Sequence, residues 1–320
     1  MFERMVGMTE SAARLPMRAK PIAATKPARN LDRFGAPGWL QAMPFGLVFA
    51  VFFVAPLILV VIVSFWDYND YQMMPAFITR SYVESFDGCM TNFFDCTIVR
   101  TYLSTAKFCL IVWVLTLLIG FTVAYFLAFY VRSQTTQMVL FLVCTIPFWT
   151  SNVIRMISWI PLLGRNGLVN QILVHSHIVN KPLEWLLYSP FSVALAFVHL
   201  FTFFMVAPIF NSMMRIDRRL IEAAYDGGAS GWQMLTNVII PLSKPGVAIG
   251  SIFVVTIVMG DFITFDVMGG EQIASAGKAI ETRLNALQFP PAAANAVILL
   301  GATMLIIAAL NRIVDIRKEL

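Results

Sequence analysis

Charge is what this sequence is shortest of. Asp, Glu, Lys and Arg make up 13% of its 320 residues and hydrophobic residues 58%. An ordinary soluble domain carries about a quarter charged residues. With a mean hydropathy of +0.75, that balance excludes a water-soluble globular protein and leaves an integral membrane one. Histidine is almost missing, at three residues. The pair His175 and His177 has no further ligand at metal-site spacing and reads as a solvated loop pair. No HExxH, GxSxG or carboxylate pair with a suitable base occurs, so a membrane-embedded enzyme has nothing to work with. No P-loop occurs either. The nearest string, GGEQIASAGKA at 269–279, has the wrong spacing and lacks Ser or Thr after the lysine. Cysteine is limited to four residues. Cys109 and Cys144 lie in apolar runs and read as small hydrophobes. Cys89 and Cys96 share a polar loop, and a disulfide or two free thiols are equally open there. No apolar core follows the early charges until residue 44, and that run is long enough to span, so a signal peptide is not expected.

What is present is long apolar runs. Residues 1–43 form a basic tail rich in Ala, Arg, Lys and Pro, without hydrophobic periodicity and expected to be mostly disordered. Six runs follow, at 44–66, 108–131, 138–163, 191–214, 247–269 and 292–310, within a transmembrane domain expected over 44–311. A polar tail closes the chain at 312–320. A hydrocarbon core of roughly 30 Å takes about 20 helical residues to cross. Backbone groups in lipid must be satisfied internally, so the expected fold class is all-α, a polytopic protein with six transmembrane helices. Fifteen Lys and Arg fall on the side that holds both termini and six on the other, which predicts cytoplasmic termini. The net charge of +5 thus belongs to one membrane face rather than to a nucleic-acid site.

The loop at 215–246 falls on that same predicted cytoplasmic side. Asp217 is placed to cap a helix that runs through Glu222, Ala223 and Ala224. Gly227 and Gly228 end it, because glycine takes the left-handed conformation freely. Ser230 and Gln233 then read as a capping box for a second helix. Pro241 is expected to stop that helix, with Pro245 and Gly246 leading into the next span. The product is a rigid helix–turn–helix on the membrane surface. Its small residues Ala223, Ala224, Gly228 and Ala229 allow close docking, and Leu220, Ile221, Trp232 and Leu235 are expected to be exposed beside charges, the mark of a partner site.

The wording of this loop, Glu222-Ala223-Ala224, then Gly228, then Ile240-Pro241, resembles the EAA loop of the membrane subunits of bacterial ATP-binding-cassette (ABC) importers. The blocks PIFNSMMRIDRRLIEAAYDGGAS, GDFITFDVMGG and PFWTSNVIRMISWIPLLGRNGLVNQIL resemble the spermidine/putrescine-type permeases among them. The ending Ile-Pro in place of Leu-Pro, and the neighbouring Gly227, are the departures. The resemblance implies a type I (MetI-like) permease fold in a bacterial inner membrane. It implies that Glu222, Ala223, Ala224, Gly228, Ser230 and Pro241 couple to an ATPase, with Glu222 meeting one of its basic residues. The implied partners are two copies of a cytoplasmic ABC ATPase, a second homologous permease and a periplasmic solute-binding protein. ATP and Mg would be bound by the ATPase, and this chain would carry no cofactor.

Charge inside the spans is the remaining signal. Arg155 falls in the third run, and Asp261 and Asp266 in the fifth. Each costs at least about 2.5–3.5 kcal/mol at depth unless it faces a cavity or a partner. Arg155 reads first as an ion-pair partner that ties spans three and five. Asp261 divides evenly between that role and guiding a cationic solute. Asp266, near the outer end, also fits simple hydration. Asp261 and Phe265, four apart, would share a helix face suited to an ammonium ion. Phe148, Trp149, Trp159, Trp185 and Tyr188 read as interfacial anchors, with Trp159 a further candidate for the path. A short amphipathic run at 168–174 is expected on the membrane surface, and Pro147, Pro161 and Pro208 are expected to kink spans three and four. The expected solute is a small cation of polyamine type. An opine, an amino-acid derivative, an iron chelate or an anion is the alternative within the same class, with a passive channel behind both.

Overall fold

The computed structural model describes residues 38–69, 72–87, 89 and 96–313. Most of the basic tail expected over 1–43, and the end of the C-terminal tail, lie outside the described residues. Two compact units meet between Val54 and Ala55. The described part of the first is α1 (Gly38–Phe49), which contains Pro44, followed by a π-helical turn over Ala50–Val54. Phe49 and Phe53 stack on one side of it, ring centroids 5.3 Å apart.

The second unit opens with α2 (Ala55–Val63) and a two-residue antiparallel ladder, β1 (Asp67–Tyr68) against β2 (Met73–Met74). It continues through α3 (Arg80–Ser85), α4 (Thr97–Tyr125), α5 (Gln134–Thr145), α6 (Asn152–Leu163), α7 (Leu168–His175) and α8 (Pro190–Met213). After α8 come α9 (Arg218–Asp226), α10 (Gly231–Met234), α11 (Ile240–Gly260), α12 (Ile263–Gly269), α13 (Ala276–Asn285) and α14 (Phe289–Ile313). Cys89 and Cys96 are joined in a disulfide with Cα atoms 4.6 Å apart, which decides the alternative left open above.

Among the described residues five helical stretches are long and apolar enough to cross a membrane: Ala42–Val63, Thr97–Tyr130, Glu184–Met213, Gly231–Gly260 and Phe289–Arg312. The third apolar run is not the single helix its composition predicts. It is a pair, Gln134–Trp149 and Asn152–His175, bent by 86°. Pro147 lies in a 3₁₀ turn over Ile146–Trp149, and Thr150 leaves that turn in extended backbone. A proline lacks the N–H that would continue the ladder, so the break falls beside it. Pro161 and Pro208, by contrast, sit inside α6 and α8.

The core is made by α4, α8 and α11. They approach closely through small residues, the rule for helices packed in lipid, where apolar burial gives no drive between helices. A Cβ on Gly246 would stand 2.5 Å from the Pro208 carbonyl oxygen and 2.9 Å from the Ile209 Cα. Trp113 donates its indole N–H to Ser251 Oγ at 2.8 Å, tying α4 to α11. Phe265 of α12 fills the space beyond, its ring edge-on to Phe108 and to Phe197 at 5.2 and 5.1 Å.

Candidate functional site

Between α8 and α11 the chain builds the surface helix pair that its capping residues predict. Asp217 accepts from the Arg219 N–H at 2.9 Å and starts α9. At the other end Gly228 takes φ +83°. The Gly228 N–H bonds the Tyr225 carbonyl at 2.9 Å and the Ala229 N–H reaches back to Ala224 at 3.0 Å. That pair of reversed bonds is a Schellman motif, which satisfies carbonyls the helix would otherwise leave open. Ser230 and Gln233 then exchange side-chain and backbone bonds at 3.3 and 2.9 Å, a complete capping box.

Glu222 and Ala223 are exposed on α9, and Ala224 is half-buried. Leu220 and Trp232 are exposed, Trp232 at 72%. Ile221 and Leu235, expected to be exposed with them, pack instead against the core. Behind Glu222 lies a cavity of about 380 Å³ lined by Arg218, Tyr225 and the aromatic end of α4, Tyr125, Phe129 and Tyr130. The floor of that region is pinned by a residue that sequence reasoning missed. Buried Gln137 donates to the Leu127 carbonyl at 2.8 Å, closing a last turn of α4 that has widened to π-helix over Phe126–Tyr130. The signal was there, a lone amide at the head of an apolar run.

Pro241 does not stop the second helix. Helical backbone is continuous from Gly231 to Gly260, with Pro241 in the first turn of α11 and Pro245 inside it. A π-helical turn over Leu235–Ile239 immediately precedes. Such a turn re-pairs the carbonyls that proline cannot serve, as spanning helices tolerate. The surface helix and a membrane span are therefore one element.

That element ends at Gly260, where the fifth apolar run breaks. Asp261 is in extended backbone (φ −74°, ψ 131°), and its Oδ1 accepts from the Thr264 N–H at 2.7 Å to start α12. Asp261 and Phe265 consequently share no helix face. Phe265 is buried in the core with no open ring face, because the break turns α12 inward against α4 and α8. Asp266 is not simply hydrated: its carboxylate binds the Lys278 ammonium, which also reaches Glu281 Oε2 at 2.9 Å. Bonds from Asp266 first and Glu281 second hold the Lys278 pKa above its usual value. Lys278 was not singled out from sequence; its spacing of three from Glu281 on one helix was the available cue.

Arg155 makes no ion pair among the described residues. Its guanidinium bonds Asn152 Oδ1 one turn earlier, and Nε is buried without a partner. The expected tie between spans three and five through an acid is absent among the described residues, because Asp266 is taken by Lys278 and Asp261 by its own helix start. Trp159, one turn on, sets its ring edge-on to His199 of α8 at 5.6 Å. The helix that carries Arg155 and Trp159, α6, packs on α12, the segment beyond the Asp261 break. The amphipathic run at 168–174 is α7, held to the following loop by Asn170, which is buried and bonded to Gly164 and Leu183.

Comparison with known proteins gives this arrangement its relatives. Residues 117–319 match the family described as binding-protein-dependent transport system inner membrane component. The chain is 30% identical over 234 residues to the spermidine/putrescine transport system permease protein PotB of Escherichia coli (strain K12), covering 72% of this chain and 84% of that protein. Among solved structures it is similar to a bacterial ABC transporter involved in the import of the acidic polysaccharide alginate (TM-score 0.67, 18% identity, 88% of this chain and 94% of that one). A second structure shows a bacterial alginate ABC transporter in complex with an alginate pentasaccharide-bound periplasmic protein (TM-score 0.63, 16% identity, 86% and 92%). At such identities the structural likeness speaks to fold alone.

Proposed function

The chain belongs to the family of inner membrane components of binding-protein-dependent transport systems, and from that premise we propose that it forms the polyamine-carrying permease half of an ATP-driven importer. It is a multi-pass inner-membrane permease subunit of ABC importer type. The finer reading concerns what it carries, where it is driven and which residues serve.

Likeness to a spermidine/putrescine permease over most of the chain supports a small organic polycation as solute. The similar fold of an alginate importer argues that fold does not choose the solute, so the choice falls to side chains and to a periplasmic binding protein. Asp261 is our candidate on the path. It is the acid at the break in a spanning helix, the type of site where transporters expose backbone carbonyls and charge to a cation. Arg155 and Trp159 lie on α6, which packs on the helix beyond that break. Asp266 and Phe265 move to supporting roles, one paired with Lys278 and the other in the core.

The observation that carries the reading is the continuity of Gly231–Gly260. At 1.5 Å per residue those 30 residues span about 45 Å. One end is the capped turn beside Glu222; the other is Asp261. A push on the surface pair, through Glu222, Ala223, Ala224, Gly228, Ser230 and Pro241, is delivered along one helix to the break, which yields first. We assign the push to two copies of a cytoplasmic ATPase that bind ATP and Mg, this chain holding neither. A second permease completes the membrane core, and the Lys and Arg distribution supports cytoplasmic termini. Closure of the ATPase pair opens the path outward to a loaded periplasmic protein, and hydrolysis resets it.

Two substitutions test this. Glu222→Lys should release the ATPase on co-purification, and Asp261→Asn should lower spermidine uptake at least tenfold with the ATPase still bound. Unchanged uptake in Asp261→Asn removes the carboxylate from the path. Retained ATPase and uptake in Glu222→Lys removes the docking assignment.

A further inference from the structure

Two cations near the Thr97 end of α4 are unaccounted for by transport. Arg100 and Lys107 line a cavity of about 500 Å³ with the hydroxyl-bearing side chains of Thr97, Thr101 and Ser104, closed on its other side by Gln272 and its neighbours. Among the described residues no acidic side chain lines it. Both cations are exposed, and neither forms an ion pair among the described residues. Charge complementarity asks for an anion.

The position on the helix identifies its source. Arg100 and Lys107 are seven residues apart, hence two turns and about 10 Å along one face. The same face continues as exposed apolar side chains, Leu110, Ile111, Val114 and Leu118, within about 60° of Lys107 at 100° per residue. From Lys107 to Leu118 is about 16 Å, half of a hydrocarbon core of roughly 30 Å. Lys107 thus stands at the hydrocarbon boundary, Arg100 among the headgroups and Leu118 at mid-bilayer. A soluble anion would use the two cations and leave the stripe unexplained. An anionic phospholipid uses both.

We propose that α4 holds an anionic phospholipid, its phosphate between Arg100 and Lys107 with hydroxyl donors from Thr101 and Ser104, and one acyl chain laid down Leu110–Leu118. The site does not depend on the solute carried or on which bilayer face the Thr97 end meets.

The test uses the full chain, purified with its co-purifying subunits and reconstituted in phosphatidylcholine nanodiscs containing a minority of phosphatidylglycerol. Lipid retained after release is read by native mass spectrometry. Wild type should keep one phosphatidylglycerol, with apparent affinity falling about 5-fold for Arg100→Gln or Lys107→Gln and roughly 30-fold for both, at the usual worth of a cation beside an anionic membrane. The charge-keeping pair Arg100→Lys with Lys107→Arg should retain the lipid, and Arg165→Gln, an exposed loop cation, should change nothing. Equal retention by the double Gln variant overturns the proposal. So does loss from the charge-keeping pair, or displacement of the lipid by millimolar inorganic phosphate, which would mark a soluble-anion site. A crosslink from Lys107 to an acidic residue of the second permease, with no lipid retained, assigns the cations to a subunit contact instead and also overturns it.

Discussion

Adjacent glycines at 227 and 228 offer a sharp test of the docking turn, because only one of them needs to be glycine. Gly228 has φ +83°, and a Cβ there would meet nothing within 4 Å. Gly227 has φ −74°, which any residue adopts, and its added Cβ would meet the Ala223 carbonyl oxygen at 3.3 Å. Gly228→Ala is therefore purely a backbone perturbation. A left-handed L-residue costs roughly 1–2 kcal/mol, levied on the Schellman turn that sets α10 against α9. If the ATPase binds only the intact turn and that turn is partly open before docking, its apparent affinity falls with the population of that turn, by up to about 5- to 30-fold at 1.4 kcal/mol per decade. The assay is titration of purified ATPase onto reconstituted permease, with spermidine uptake and ATP hydrolysis measured in parallel. Gly228→Ala should weaken both binding and uptake by that factor at unchanged membrane abundance. Gly228→Asn should lose less, since Asn tolerates the left-handed region, and Gly227→Ala should stay within twofold of wild type. An unaltered Gly228→Ala titration, or a larger loss in Gly227→Ala, would refute the claim that this turn geometry is what the ATPase reads.

Three further outcomes follow from particular contacts. Gly246→Ala drives a methyl into the Pro208 carbonyl, which is backbone and cannot move aside, so α8 and α11 must part. We expect a loss of about 1–3 kcal/mol or more by thermal unfolding in detergent, whereas Gly301→Ala, with open space around it, should be neutral or gain about 1 kcal/mol from helix propensity. Phosphatase fused after Lys181 should be active outside the cell and fused after Ser230 silent; the reverse pattern would invert the orientation. Glu84 binds the Tyr68 hydroxyl at 2.6 Å and Arg80 Nε at 2.8 Å. Burial pushes its pKa up, but those two bonds together with the charges of Arg80 and Arg283 outweigh it and the net shift is downward. A depressed carboxylate stabilises above its unfolded pKa of about 4.3 and loses that contribution as pH falls through the folded value. Protection factors for amide exchange in α3 should fall there, and Glu84→Gln should remove that fall.

What could be read in advance divides by the range of the interaction. Asp217, Gly228 and the Ser230–Gln233 box were legible because each cap is satisfied within a few residues of itself. The spans were legible because a hydrocarbon core demands apolar length and nothing more. The break that Pro147 marks in span three was legible too, whereas Asp261 interrupts its helix with no proline and no loss of apolar length to announce it. Pro241 misled for the complementary reason. Pro147 marks a break of 86°, whereas Pro241 and Pro245 sit in continuous helix, and the difference lies in whether a neighbouring turn re-pairs the freed carbonyls. The ion partners were least legible, since Lys278 lies twelve residues from Asp266 and meets it only after α12 has folded back from the break. That contact bears on function, because it removes Asp266 from competition for a cation. With Arg155 bonded to Asn152 and Asp266 paired with Lys278, Asp261 is the one of the two intramembrane acids without a cationic partner among the described residues. Its Oδ1 starts α12, so a cation drawn to this carboxylate would pull on the helix start itself. Solute and ATPase would then act on opposite ends of one helix. Asp261→Glu separates that reading from simple attraction: it keeps the charge but moves the Thr264 cap by one methylene. Uptake should fall in Asp261→Glu nearly as far as in Asp261→Asn if the cap transmits the motion, and should stay near wild type if only the charge matters.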